Sequence, residues 1–131
     1  MNLIKAFVAG IVVPSILLPF MMLGALAFGK PQVLTLVFLH FIPLVWGIWN
    51  VLYIAFFKRL FPGDANTRLQ VAGGVLGLLV AIYAIFHLEL PSLLGFSGWF
   101  YYVPLIAAPI VYAIVWRYLV KPLNTLLDLQ N

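Results

Sequence analysis

Only ten positions of this chain are charged, and between Lys5 and Arg117 they leave four uncharged, strongly apolar stretches at 6–29, 31–57, 69–88 and 90–116. These run to 24, 27, 20 and 27 residues. An α-helix rises about 1.5 Å per residue, so about 20 apolar residues cross the hydrocarbon core of a bilayer. The pattern predicts an all-α integral membrane protein, a four-helix transmembrane antiparallel bundle. A single transmembrane domain would cover 1–131, with spans near 6–28, 33–57, 69–88 and 99–119.

Turn residues fall between the spans. Gly29-Lys30-Pro31 reads as a tight turn, because Pro disfavours helix in the residue before it and Gly tolerates unusual dihedrals. Phe61–Asn66 holds a Pro-Gly turn, with Asn66 or Thr67 as the expected cap of the third span. Pro91–Gly98 is the longest loop, and Ser97 is the expected cap of the fourth span. Trp99, Phe100, Tyr101 and Tyr102 then suit one membrane interface; Trp116, Arg117, Tyr118 and Lys121 suit the other. Beyond Pro122, Leu123, Leu126, Leu127 and Gln130 recur at helical spacing, which fits either a short helix on the membrane surface or a frayed tail.

Charge sets the orientation. Lys5, Lys58, Arg59, Arg68, Arg117 and Lys121 lie on one side of the predicted spans, against Lys30 alone on the other. The positive-inside rule places both termini and the 58–68 loop in the cytoplasm. The expected location is a multi-pass cell membrane protein of the bacterial cytoplasmic (inner) membrane. Composition agrees: 66% of residues are hydrophobic and 8% charged, where a soluble domain is about 25% charged. The net charge of +4 is what flanking basic residues produce, so no nucleic-acid partner is expected. Ala25-Leu26-Ala27 resembles a signal-peptidase site, but the apolar run before it exceeds an ordinary signal core and holds Pro14 and Pro19. The first stretch is therefore expected to be a retained span. Cys is absent, which removes disulfides, thiolate metal sites and Cys nucleophiles.

Two weak matches suggest a parallel duplication of a two-helix hairpin. Phe41–Val45 aligns with Tyr102–Ile106 at an offset of 61, and Val8-Ala9-Gly10 with Val71-Ala72-Gly73 at an offset of 63. Apolar segments also match by chance, and both explanations stand.

In lipid, helices associate through small residues and polar contacts rather than apolar burial. Gly73, Gly77 and Ala81 form a small-residue ladder on span three, suited to packing within the chain or to self-association. Gly10 lies on a similar stripe with Ala6, Pro14 and Gly24. Pro14, Pro19, Pro43, Pro104 and Pro109 should bend their helices, as static kinks or as hinges.

Few polar residues could carry chemistry. His40 and Asn50 share one side of span two with Pro43 and Gly47, a candidate polar path. An unpartnered amide in hydrocarbon costs several kcal/mol, roughly, so Asn50 should face protein. His87 and Glu89 form an outer-face polar pair. His40 lies about 10–12 Å below them in depth, which argues against a shared metal site. Neither metal nor cofactor is expected. No Ser, Cys or second acid completes a catalytic set, so the expectation is that the protein is not an enzyme. Coupled transporters and pumps usually keep an ionisable group in mid-membrane, and none is placed there.

The sequence therefore favours a non-enzymatic accessory subunit or scaffold acting through transmembrane helix packing. Its partners would be the lipid bilayer and other transmembrane helices, in a homo-oligomer or a membrane complex. The alternative is a small oligomeric channel or facilitator for a small solute or ion, with Asn50 and His40 lining the path.

Overall fold

The structure, a computed structural model, describes residues 2–131. All regular elements among them are helical. Helix α1 spans Asn2–Ala27, α2 Val37–Ala55, α3 Ala65–Phe86, the short α4 Leu90–Leu93, α5 Pro104–Val115 and α6 Lys121–Leu126. Helices α5 and α6 join through a π turn at Trp116–Val120, and a 3₁₀ turn at Gly98–Tyr102 precedes α5. Four helical segments, Asn2–Ala27, Val37–Ala55, Ala65–Phe86 and Gly98–Leu126, are long and apolar enough to cross a membrane. Large apolar side chains point outward along them: Phe20, Leu23, Ile106 and Ile110 are all more than half exposed. That surface suits lipid and would be costly in water.

Local chemistry sets the helix ends. Gly29, at φ +70°, closes α1 in a Schellman motif: Lys30 N–H donates to Ala25 O at 2.8 Å and Gly29 N–H to Leu26 O at 3.1 Å. Pro31–Thr35 then winds as a 3₁₀ turn and Leu36 is extended, so α2 starts at Val37 rather than near residue 33. The cap of α3 is Asp64, whose carboxylate accepts Thr67 N–H at 2.9 Å. Asn66 and Thr67 lie inside the helix instead, because the shorter Pro62-Gly63 turn starts it two residues earlier than expected. Ser97 is extended and makes no side-chain cap.

The chain packs as two hairpins. In the first, α1 and α2 approach through glycine. A Cβ on Gly10 would lie 2.6 Å from Trp46 O and 2.9 Å from Gly47 Cα. In the second, α3 lies against α5: a Cβ on Gly73 would lie 2.5 Å from Tyr112 O, and one on Gly77 would lie 2.6 Å from Ala108 O. Neither pair of backbones could come so near with side chains at these positions. Ala81 continues the buried face of α3. Gly10 and Gly73 thus meet equivalent carbonyls, Trp46 O and Tyr112 O, each three residues after a proline, Pro43 or Pro109. On the second helices this spatial match pairs residues 46 and 112, not the 41–45 and 102–106 segments aligned by sequence.

Aromatic rings join the hairpins. Trp46 packs on Tyr112 at 4.9 Å and Trp116 at 5.9 Å between centroids, and Tyr53 meets Trp116 edge-on at 6.3 Å. Trp49 Nε1 donates to Ala72 O at 3.0 Å. Leu69, Ala72 and Leu76 of α3 complete this core with Val120.

Candidate functional site: a buried amide pair

Asn50 and Asn124 are the polar side chains buried without exposure among the described residues. Asn50 lies one turn after Gly47 on the face of α2 turned to α1. The close approach at Gly10 brings Ala6, one turn earlier on α1, within reach. Asn50 Nδ2 donates to Ala6 O at 2.7 Å and to Asn124 Oδ1 at 2.7 Å. Asn124 Nδ2 donates back to Asn50 Oδ1 at 3.2 Å and onward to Asn131 Oδ1 at 2.9 Å. All four amide hydrogens of the pair are used, and each oxygen accepts. A polar cluster satisfied in this way stabilises and positions the elements that carry it.

The sequence reading missed Asn124 and the tail beyond it. Asn124 is delivered by the π turn. Pro122 carries no N–H and its ring would crowd the carbonyl four residues back in an α-helix. Widening at Trp116–Val120 relieves this, with Lys121 N–H reaching Trp116 O. After α6 the chain reverses through a second Schellman motif. Leu129 N–H donates to Asn124 O at 2.8 Å and Asp128 N–H to Thr125 O at 3.0 Å, with Asp128 at φ +61°. Leu129 is thereby buried against Ala6 and Ala9. The segment is a short helix followed by a held reversal, not a frayed tail. Arg68 Nη2 donates to Asn131 O at 2.7 Å and Lys58 Nζ to Gln130 O at 2.9 Å, pinning the last residues. Lys5 stands 4.0 Å from Asp128, an exposed pair of small energetic weight.

Charge gathers around this latch. Lys5, Lys58 and Arg68 bond the tail, and Lys121 Nζ donates to Asn66 Oδ1 at 2.6 Å. Partial burial holds the Lys58 ammonium below the usual lysine range, and the neighbouring Arg59 and Arg68 charges push it the same way. Acceptance of the Thr67 N–H holds Asp64 below the usual carboxylate range. Asn50 therefore sits level with Ala6, beside Lys5, at the basic end of the bundle rather than at its middle. Trp46 and Tyr53, about one turn to either side of Asn50 on α2, are buried with Trp116 in the aromatic core beside the pair.

The other candidates lie apart. His40 is exposed and its Nε2 pairs with Leu34 O at 2.9 Å, whereas Asn50 is buried. The two are ten residues apart, almost three turns, and the helix carries them to different depths. His87 stacks on Tyr83 at 4.8 Å, and Glu89 is exposed with a left-handed backbone at φ +51°. No ion pair joins them among the described residues. Between the hairpins, a cleft of about 210 Å³ is bounded by Pro14, Leu18, Ile42, Trp46, Val111 and Tyr112, almost wholly apolar. No family model, curated protein or solved structure matches this chain, so function is argued from its own residues.

Proposed function

We propose that this protein is a non-enzymatic multi-pass membrane component, an accessory subunit or scaffold that presents a rigid bundle to other transmembrane helices. The observation that carries this reading is the closed amide pair. Asn50, the buried polar side chain of the second helix, spends its hydrogen bonds on Ala6 and Asn124. It is a clamp between α1, α2 and α6 rather than the lining of a passage. Both termini and the Lys58–Arg68 connection lie on the cytoplasmic side in this reading, supported by the basic residues that gather at one end while Lys30 sits at the other. A duplicated hairpin is the proposed origin of the bundle, supported by Gly10 and Gly73 meeting equivalent carbonyls.

Asn50→Leu tests the reading. It leaves Asn124 buried with unmade bonds, so stability or assembly should fall by about 1–3 kcal/mol. Solute and ion flux in proteoliposomes should be the same for wild type and variant. A wild-type flux abolished by Asn50→Leu in a bundle that melts normally would sink the scaffold and establish a channel.

A further inference from the structure

We propose that the cleft beside the π turn binds the phosphate headgroup of an anionic phospholipid through Arg117 and Lys121. This rests on the chain spanning a bilayer and is independent of the scaffold reading. The cleft, about 570 Å³, is lined by Asn66, Arg117, Tyr118, Lys121, Pro122 and Thr125 among others. It lies where the apolar fourth span meets the basic end of the bundle, at the level where basic side chains meet headgroups.

Its two cations lack an anionic partner. Among the described residues Arg117 makes no ion pair, and its guanidinium sits over the Tyr118 ring at 5.1 Å. That contact steadies the fork without using its donors. Lys121 bonds the neutral Asn66 amide and holds a position one wide turn from Arg117. The π turn forced by Pro122 thus stacks both charges on one edge of the cleft, and such turns recur at functional sites. Asp64 is the carboxylate within their field, and its oxygen is already turned to Thr67 N–H. Two cations against one carboxylate leave a net positive site, matched to a phosphodiester. Tyr118 and Leu126, which line it, are strongly exposed and offer apolar surface to acyl chains. That apolar rim favours a lipid over a soluble phosphate.

The test is lipid retention by the intact protein in mild detergent, read by native mass spectrometry during titration with phosphatidylglycerol or phosphatidylcholine. Wild type should retain phosphatidylglycerol preferentially. The Arg117→Gln/Lys121→Gln double variant should bind it about 30-fold more weakly, from the loss of two interfacial cations. Arg117→Lys/Lys121→Arg should restore most of the binding, which separates lost charge from lost fold. Arg59→Gln, also at the basic end, should leave it unchanged, and glycerol phosphate should fail to compete. Equal retention of both lipids by wild type, an unaltered double variant, or an equal loss in Arg59→Gln would overturn the site. Glycerol phosphate competing as well as the lipid would overturn the lipid assignment.

Discussion

Adjacent glycines of α3 should respond oppositely to one added methyl group. A Cβ at Gly73 would sit 2.5 Å from Tyr112 O and 2.6 Å from Trp116 Cγ. This is roughly 0.9 Å short of an ordinary 3.4 Å contact. The obstacle is backbone plus a Trp with no exposed surface, so neither can yield without parting α3 from α5. At Gly77 the neighbour is Ala108 O at 2.6 Å, backbone again. At Gly74 the nearest atoms are Pro109 O at 3.7 Å and Ala113 Cβ at 3.9 Å, which is normal packing. Overpacking costs about 1–3 kcal/mol, while Gly→Ala within a helix returns about 0.5–1 kcal/mol. Gly73→Ala and Gly77→Ala should therefore lose about 1–2 kcal/mol net, and Gly74→Ala should gain about 0.5 kcal/mol. The gap between neighbours, about 2 kcal/mol, is roughly 30-fold in the unfolding constant. Titration of detergent-solubilised protein with dodecyl sulfate, followed by Trp fluorescence, measures it. A Gly73→Ala variant as stable as wild type, or a Gly74→Ala variant weakened as much as Gly73→Ala, would refute the close-packed hairpin.

Four further outcomes follow from the latch and the turns. Asn50→Leu and Asn124→Leu should each cost about 1–3 kcal/mol, and the double variant should cost clearly less than their sum, because neither amide is left buried facing a leucine; additive losses in a double-mutant cycle would show that the pair does not interact. Asp128→Gly should raise the thermal midpoint, since it relieves a left-handed backbone at φ +61°; a lowered midpoint would argue against the motif. Because the folded pKa of Asp64 is depressed, its contribution is fully present above the unfolded value and is lost as pH falls through the folded value, below about pH 4. Asp64→Asn keeps a capping side chain without that titration, so wild type should weaken relative to it on acidification; parallel pH profiles would contradict the cap. The chain lacks Cys, so single replacements report topology cleanly. Ser97→Cys should react with an impermeant maleimide in intact cells and Pro62→Cys only after lysis; the reverse pattern would invert the orientation.

The helical segments were legible because uncharged runs of span length have few alternatives once a bilayer is the solvent. Small residues at 10, 73, 77 and 81 were legible as packing faces for the same reason, although their partners were not. The Asn50–Asn124 pair was hidden by sequence distance and by an assumption about depth. Lys121 marks the expected edge of the fourth span, and the residues beyond it fit either a surface helix or a frayed tail, neither of which returns Asn124 to the bundle. Only the π turn and the reversal at Asp128 return it to Asn50. The signal available was Pro122 itself, a ring placed where a continuing helix must widen or break. Asp64 was passed over as cap because Asn66 and Thr67 were judged against a longer turn, whereas Gly63 at φ +92° lets the helix begin at Ala65.

The most direct measurement is the mass of the intact assembly, with its co-purifying proteins, extracted from native membranes into nanodiscs. The scaffold account predicts a defined hetero-complex in which this bundle has fixed stoichiometry, lost together with stability in Asn50→Leu. A lone homo-oligomer whose flux depends on Asn50 would contradict it.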